Sequence, residues 1–294
     1  MSFTTYVTYW DNNPLDMIKD MINNMKTIQN MRIILAFASF NFSSTEYIPG
    51  FGSLTLDQVK QITDLVHNNN ASISLSIGGA TYPFVGSDLY SHPGDLANNI
   101  NIILNKCNFD GVDFDIEDSN VPSDFVNNTS SLINTLRNLN NKLYISLTTA
   151  AQAWGAIGNI EEVGLLWQKD VINYTIGNLN VWQPMEYDLW IDPTNPSYFN
   201  QIQYDINYYI DNWGVDPKKI ILGLMPGKDD MGHNLSLSDA LNLTTFAMNR
   251  SLQGVMTWDA TIDSKGCDGN APYAYSMGII SQQNKQYENK CWCL

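Results

Sequence analysis

The sequence lacks any hydrophobic run that is long enough to cross a membrane. Although 44% of its 294 residues are hydrophobic, no stretch approaches the ~20 consecutive apolar residues of a membrane span. The N-terminal segment MSFTTYVTYWDNNP also lacks the basic leader and apolar stretch of a signal peptide. We therefore expect no insertion into a membrane. Either a signal segment is absent from this sequence or the protein never had one.

Basic residues are scarce as well. The chain has 15 Lys and Arg residues against 30 Asp and Glu residues, which gives a formal net charge of −15. This charge repels phosphate backbones and anionic lipid surfaces, so binding to nucleic acid or to a membrane is not expected. A neutral or cationic ligand suits the protein better.

The three histidines, His67, His92 and His233, have no spacing typical of a triad or metal site, and we assign them no role.

Cysteine is rare, and the spacing of its four copies matches neither a zinc site nor the redox Cys-x-x-Cys. The four are Cys107, Cys267, Cys291 and Cys293. Cys107 ends an apolar helical stripe and is predicted to be a buried thiol. An even cysteine count and several Asn-x-Ser/Thr sequons suit a secreted glycoprotein. Such sequons begin at Asn70, Asn173, Asn234 and Asn242. We expect an extracellular monomer, with an intracellular location as the open alternative.

No linker rich in Gly, Ser or Pro divides the chain, so residues 1–294 are predicted to form one domain. Short apolar runs rich in β-formers recur eight times, and their starts lie roughly 25 to 40 residues apart, the length of a βα unit. Between them, apolar residues repeat with a helical period. This alternation predicts an α/β fold, a single (β/α)8 TIM barrel. The runs are Thr5–Tyr9, Arg32–Phe40, Ser72–Ile77, Gly111–Glu117, Leu143–Thr149, Asn180–Tyr187, Lys219–Met225 and Gly254–Trp258.

The fourth run carries acids at alternate positions, Asp113, Asp115 and Glu117. Alternate residues of a strand face the same way, about 6–7 Å apart, so these carboxyl groups project together. Crowding and burial both favour the protonated form, so at least one should be a carboxylic acid near neutral pH, as a general acid must be. The alternatives are a solvated strand face and a metal site. An EF-hand is excluded, because Asp118 occupies the glycine position and Pro122 falls within the loop.

The segment Asp110-Gly111-Val112-Asp113-Phe114-Asp115-Ile116-Glu117 resembles the D-G-x-D-x-D-x-E signature of glycoside hydrolase family 18, the chitinase family. Other strands resemble that family in the same order. The matching segments are Tyr9-Trp10, Ala36-Phe37, Ser76-Ile77-Gly78-Gly79, Met185-Glu186-Tyr187-Asp188 and Gly254-Val255-Met256-Thr257-Trp258. The resemblance implies hydrolysis of chitin or of N-acetylglucosamine oligosaccharides, without a metal or cofactor.

The resemblance also implies four catalytic residues. Glu117 would protonate the glycosidic oxygen, while the substrate's own 2-acetamido oxygen acts as the nucleophile and forms an oxazolinium ion. Asp115 would accept the acetamido N–H and stabilise that ion. Asp113 would share a proton with Asp115, so the acids titrate as a group. Tyr187 would hold the acetamido oxygen in line for attack.

Further residues would bind the substrate or support the acids. Trp258 would form the floor under the distorted sugar, and Phe37 would line the same pocket. Asp188 and Met185 would lie beside Tyr187. Tyr9 and Ser76 are expected to donate hydrogen bonds to Asp113, and Gly79 is expected to serve close packing as well as binding. Trp10, Trp154, Trp182 and Trp190 could either stack on sugars or pack in the protein, and Asp110 is expected to be structural.

Larger family members insert a small α+β domain between the seventh and eighth strands. Here Met225 and Gly254 are too close in sequence for that insertion. A shallow, open groove is therefore expected, which suits internal cleavage. The expected function is a chitinase that cleaves β-1,4-linked N-acetylglucosamine polymers internally with retention. The alternatives are an endo-β-N-acetylglucosaminidase that cuts the chitobiose core of N-glycans, and a chitinase-like lectin that does not cleave sugar.

Overall fold

A computed structural model describes every residue except 11, 44, 53, 88–89, 152–166, 190, 192–196 and 292–294. For residues 286–291 it describes only the backbone. Two of the tryptophans considered as sugar platforms, Trp154 and Trp190, lie outside the described residues.

Eight parallel strands close into a barrel. They are β1 Ser2–Thr8, β2 Arg32–Ala38, β3 Ser72–Gly78, β4 Gly111–Ile116, β5 Tyr144–Ala150, β6 Val181–Met185, β7 Ile221–Leu224 and β10 Gly254–Thr257. Around the barrel they follow the order β1-β10-β7-β6-β5-β4-β3-β2; β8 and β9 form a separate hairpin. The first and last strands complete the barrel in a register that pairs Ser2 with Gly254 and Thr5 with Thr257. A Cβ atom at Gly254 would lie 2.3 Å from the carbonyl oxygen of Ser2, so this seam requires glycine. The (β/α)8 prediction is confirmed.

Helices cover the outside of the barrel and bury the apolar stripes seen in the sequence. They are α1 Pro14–Met25, α2 Leu56–Asn68, α3 Pro93–Cys107, α4 Phe125–Leu139, α5 Trp167–Thr175, α6 Tyr198–Asp211, α7 Leu237–Asn249, α8 Ala260–Ser264 and α9 Ala274–Cys291. Helix α2 begins with a capping box between Thr55 and Gln58, which satisfies main-chain N–H groups at the helix start. Cys107 is a buried free thiol, as predicted. Among the residues that the structure describes, none of the helices combines the length and hydropathy that crossing a membrane requires.

The carboxyl ends of most strands come earlier than the sequence pattern predicts. Six of the eight end one or two residues before the predicted position, as at Ala38, Ile116 and Met185. The chain leaves the sheet at these points to enter the connection to the next helix. Residues just beyond the strand ends therefore no longer follow the in-and-out alternation of the sheet.

The segment between β7 and β10 is fully described and holds no additional domain. It contains a short antiparallel hairpin, formed by β8 Gly227–Lys228 and β9 Asn234–Leu235, followed by α7. The α+β insertion is therefore absent, as the spacing of Met225 and Gly254 predicted. The hairpin instead lies at the carboxyl end of the barrel, next to the end of β6.

Candidate active site

The acids of the fourth strand point into the barrel. Asp113 is fully buried and Asp115 is only 2% exposed. Glu117 directly follows the strand and lies at its carboxyl end, where barrels of this kind place their functional side chains. The alternation read from the sequence thus brings the row of acids to the barrel interior and mouth.

Asp113 is surrounded by hydrogen-bond donors from four strands. Its Oδ2 accepts from the hydroxyls of Tyr6 (2.8 Å) and Ser76 (2.7 Å). Its Oδ1 accepts from Ser146 (2.7 Å), Thr148 (2.9 Å) and the amide of Gln183 (3.2 Å). Burial raises the pKa of Asp113, while the hydrogen bonds from these hydroxyls oppose that shift. These donors therefore favour a charged carboxylate at the centre of the barrel.

The expectation that Tyr9 donates to Asp113 is wrong, since that donor is Tyr6. The hydroxyl of Tyr9 instead donates to the carbonyl oxygen of Gly50, and its ring stacks on Phe51 at 5.2 Å. Tyr6 lies within β1 and points inward, whereas Tyr9 lies beyond the last strand residue, Thr8. Tyr9 still contributes to the wall of the cleft. The prediction for Ser76 is correct in its contact.

Asp115 differs from Asp113 in having an unused acceptor. Its Oδ1 is buried and has no hydrogen-bond partner in the protein. Burial raises the pKa of Asp115 well above its ordinary value, and the charges of Glu117 and Asp113 raise it further. This environment favours the protonated form of Asp115.

Glu117 is largely buried and accepts one main-chain hydrogen bond. Burial raises its pKa to about 7, and the charges of Asp188 and Asp118 act in the same direction. A hydrogen bond from the main-chain N–H of Ala80 opposes the shift. A carboxyl group with this pKa can both donate and accept a proton near neutral pH, as general acid–base catalysis requires.

Two residues beyond β6 complete the polar part of the site. Tyr187 is buried, and its pKa is raised by burial and by the nearby charges of Asp115 and Glu117. It therefore remains a neutral hydroxyl that can donate a hydrogen bond. Asp188 has a left-handed backbone with φ of 56°, and its Oδ1 accepts from the main-chain N–H of Asp230 at 2.7 Å.

Aromatic rings form the opposite wall. The rings of Phe37 and Trp258 are nearly parallel, with centroids 5.5 Å apart, and the edge of Tyr6 meets Trp258 at 5.2 Å. Trp10 stacks on Phe37 at 5.9 Å and is 49% exposed. Flat apolar faces beside hydrogen-bonding groups are suited to the alternating apolar and polar faces of a sugar ring.

The acids and the rings enclose one cleft of about 470 Å³. It is lined by Tyr9, Trp10, Phe37, Ala80, Thr81, Tyr82, Asp115, Glu117, Met185, Tyr187, Asp188, Asp230 and Trp258. The structure thus brings together most of the site residues named from the sequence. No group of three or more His, Cys, Asp or Glu side chains suited to a metal ion occurs in the described part of the chain.

Gly79 and Ser76 lie behind the cleft surface. The N–H of Gly79 donates to the main-chain oxygen of Asp115 at 2.8 Å. Gly79 has a φ of 73°, and a Cβ atom at this position would lie 2.6 Å from the ring of Phe37. Gly79 therefore gives room to Phe37 and lines a neighbouring cavity of about 320 Å³ that also contains Glu117.

Of the tryptophans considered as sugar platforms, Trp182 does not reach the cleft. It is fully buried, its Nε1 donates to Thr149 at 3.0 Å, and it packs against Tyr209 at 4.7 Å. Asp110 is structural, as predicted, since it accepts from the N–H of Ile73 at 2.7 Å. His67, to which no role was assigned, lies 2.9 Å from the same carboxylate.

The sequence interpretation missed Tyr6, Ser146, Thr148 and Gln183 as partners of Asp113. The strand register places Ser76 and Ser146 directly beside Asp113 on its two neighbouring strands. Polar residues at inward positions of a β-rich run were an available signal. Their convergence on one carboxylate depends on the register between strands, which a single sequence does not display.

Comparison with known proteins identifies a matching family and a shared fold. The family model described as "Glycosyl hydrolases family 18" matches residues 3–229. A search among curated proteins finds no sequence match.

Solved chitinase structures share the fold at low sequence identity. Active domain 2 of a chitinase from Pyrococcus furiosus has 17% identity and a TM-score of 0.74, over 96% of this chain and 95% of that one. A chitinase variant from Cycas revoluta in complex with (GlcNAc)4 has 12% identity and a TM-score of 0.71, over 95% and 99%. The Group IV chitinase of Ostrinia furnacalis in complex with allosamidin has 15% identity and a TM-score of 0.70, over 97% and 99%.

Proposed function

The chain belongs to family 18 of the glycosyl hydrolases, and on that basis we propose that it is a chitinase that cleaves β-1,4-linked N-acetylglucosamine polymers internally with retention. One observation carries this proposal. In a single cleft, Glu117 with a pKa of about 7 lies near the buried Asp115, whose pKa is raised, and the neutral hydroxyl of Tyr187. These are a proton donor, an acceptor for an amide N–H and a donor for an amide oxygen.

In the first step, Glu117 gives its proton to the glycosidic oxygen while the bond from C1 to that oxygen breaks. The leaving sugar departs as an alcohol. The carbonyl oxygen of the substrate's 2-acetamido group forms the new bond to C1, which produces an oxazolinium ion. Tyr187 donates to that carbonyl oxygen and holds it in line. The substrate supplies the nucleophile, so the protein needs no second carboxylate for that purpose.

Asp115 stabilises the intermediate. Its unpartnered Oδ1 accepts the acetamido N–H, and the positive charge on the oxazolinium lowers the pKa of Asp115. Its proton then passes toward Asp113. Four of the five donors around Asp113 are hydroxyls, and a hydroxyl can rotate from donor to acceptor. Asp113 can therefore take up the proton and return it when the intermediate is hydrolysed.

In the second step, Glu117 is a carboxylate and removes a proton from a water molecule. The water oxygen bonds to C1 from the face that the leaving sugar occupied, while the bond from C1 to the acetamido oxygen breaks. Two displacements at C1 give net retention. Trp258 and Phe37 support the distorted sugar during both steps through their stacked rings.

Internal cleavage is supported by the short connection between β7 and β10. That stretch holds only the hairpin and α7, so the cleft is not deepened there by an inserted domain. A polymer can then lie across the barrel mouth and extend from both ends of the cleft.

The test is digestion of a defined N-acetylglucosamine hexamer, with the anomeric form of the products read by proton NMR before mutarotation. The proposal expects β-anomers and a mixture of dimers, trimers and tetramers. Initial α-anomers would contradict retention, and release of one product size from a chain end would contradict internal cleavage. Binding without cleavage would indicate a lectin. Preferred release of glycans from a high-mannose glycoprotein in a parallel assay would favour the endo-β-N-acetylglucosaminidase.

A further inference from the structure

A buried carboxylate outside the proposed reaction steps connects the β8–β9 hairpin to the end of β6. The side chain of Asp229 is 1% exposed. Its Oδ2 accepts from the main-chain N–H of Asp188 at 2.9 Å. Its Oδ1 accepts from the main-chain N–H of His233 at 2.7 Å, and Nδ1 of His233 lies 3.2 Å from Oδ2. Asp229 therefore joins a cleft residue to the loop that follows β8.

Asp188 in turn accepts hydrogen bonds from the loop that contains Asp229. Asp188 Oδ1 accepts from the main-chain N–H groups of Asp230 at 2.7 Å and Met231 at 3.3 Å. Asp229 thus accepts from the main chain of Asp188, and Asp188 accepts from the two residues that follow Asp229. Asp188 has a φ of 56°, a left-handed conformation that non-glycine residues adopt rarely and that the surrounding contacts must maintain.

Tyr198 closes the same cluster from α6. Its ring stacks on His233 with centroids 5.0 Å apart and an interplanar angle of 19°. Its hydroxyl donates to the carbonyl oxygen of Glu186 at 3.2 Å. The main chain is therefore held on both sides of Tyr187, at Glu186 and at Asp188.

We propose that Asp229 is a positioning residue for the reaction, because it fixes the peptide plane between Tyr187 and Asp188. That plane carries the N–H that Asp229 accepts, so its orientation sets the backbone rotation of Tyr187 and the left-handed turn at Asp188. Both side chains line the cleft. The inference rests on the proposed function, in which Tyr187 aligns the acetamido oxygen with C1. A shift of ~1 Å in such a group can lower a rate by ~10²-fold.

The first test is Asp229→Asn, which keeps the shape of the side chain but replaces one acceptor oxygen with an amide. We expect kcat on the N-acetylglucosamine hexamer to fall about 10- to 100-fold and KM to change much less, since alignment matters most in the transition state. Asp229→Ala removes both acceptors and should lower kcat further. Initial rates over a range of hexamer concentrations separate the two constants.

Two matched controls separate positioning from general stability. Asp263 is fully buried and accepts from the main-chain N–H groups of Tyr275 and Ser276. Asp110, like Asp229, accepts from a main-chain N–H and contacts a histidine ring nitrogen, but it precedes β4 at the other end of the barrel. Asp263→Asn and Asp110→Asn should lower Tm while kcat stays within about twofold of the wild-type value, since neither touches the cleft.

The inference is overturned if Asp229→Asn lowers Tm as Asp263→Asn does and leaves kcat unchanged. If Asp229→Asn does not fold, His233→Gln replaces it, because it removes only the ring contacts of the same cluster. For His233→Gln, a fall in kcat that is smaller than the one expected for Asp229→Asn supports the inference, and a kcat equal to that of the wild type overturns it.

If the wild-type protein cleaves no sugar, the proposed function fails separately. Hexamer binding, followed by tryptophan fluorescence, then becomes the readout. Weaker binding by Asp229→Asn than by the Asp263→Asn control would support positioning, and equal binding would overturn it.

Discussion

At the scale of single residues, the three acids along β4 and at its carboxyl end have different hydrogen-bond environments. Asp113 accepts from five donors, Glu117 accepts from the N–H of Ala80, and Oδ1 of Asp115 accepts from none. Burial is the largest cause of the raised pKa in each. The hydrogen-bond partners and the neighbouring charges differ from one acid to the next, and the proposed reaction gives each acid a different task.

Replacing Glu117 with glutamine removes the proton donor while keeping its shape. We expect kcat to fall by about 10²–10⁴-fold, the contribution of a positioned general acid. The affinity for the hexamer should stay within a few-fold, because the aromatic wall and Tyr187 are unchanged. Rate measurements and a binding titration on the same preparation check this, and wild-type turnover in this variant would exclude Glu117 as the acid.

The pH dependence of the rate follows from the same carboxyl group. Glu117 must be protonated to donate, and its pKa is raised to about 7, so kcat/KM should decline above about pH 7. The charge of Asp188 contributes to this raised pKa. Asp188→Asn should therefore shift the alkaline limb to lower pH, in addition to any loss of rate. Rates between pH 4 and 9 test this, and an unshifted limb would argue against electrostatic coupling of the two groups.

At the scale of the secondary structure elements, the ends of the strands determine the shape of the site. Gly78, the last residue of β3, has φ of 117°, and a Cβ atom there would lie 2.0 Å from the main-chain oxygen of Asp115. The close approach of β3 and β4 therefore depends on the missing side chain. The adjacent Gly79 makes room for the Phe37 ring in the same way.

Gly78→Ala should combine backbone strain with a collision against β4. The positive φ alone costs about 1–3 kcal/mol, and the steric contact should add about as much again. Gly86→Ala is the matched control, because its φ is 88° but no atom lies within 4 Å of the added Cβ. Urea unfolding of both variants should show the larger loss for Gly78→Ala. Equal losses would mean that the contact with Asp115 relaxes freely.

The elements also show how far the sequence pattern reaches. All eight predicted strands and the helical stripes are present, because apolar periodicity is a local property of the chain. Strand ends were less well predicted, since they depend on where pairing with a neighbour stops. The error at Tyr9 has this origin: the chain leaves β1 at Thr8, so the alternation no longer indicates its direction.

At the scale of the whole molecule, the protein holds several carboxyl groups in its interior. Besides the acids of β4, Glu186 is fully buried between β6 and α6. Burial and the charge of Asp205 raise the pKa of Glu186 well above its ordinary value, and a hydrogen bond from Tyr209 opposes this shift.

The one-domain organisation, the monomeric state and the extracellular location stay predictions.

These buried acids should make the fold less stable as pH rises. In the unfolded chain Glu186 loses its proton near pH 4.3, whereas in the folded chain it keeps the proton to a higher pH. The contribution of Glu186 to the stability of the fold is therefore fully present below about pH 4–5. It is lost as the pH rises toward the pKa of Glu186 in the folded protein.

Glu186→Gln removes the contribution of this group. We expect Tm of the wild-type protein to fall between pH 5 and 9, and to fall less in the variant. Asp64→Asn serves as the control, because Asp64 is a surface residue paired with Lys60. The expected slope for that control is the wild-type one. Parallel Tm profiles for Glu186→Gln and the wild type would contradict the linkage.

The sequence alone determined the class of fold, the row of acids and the absence of an inserted domain. Strand–helix alternation, the period of two in Asp113, Asp115 and Glu117, and the length between Met225 and Gly254 can each be read along the chain. The tertiary structure alone decided that Tyr6 contacts Asp113, that Trp182 packs away from the cleft, and that Asp229 holds Asp188. Those contacts join residues far apart in sequence, and they depend on the register between strands and on the burial that closure of the barrel creates.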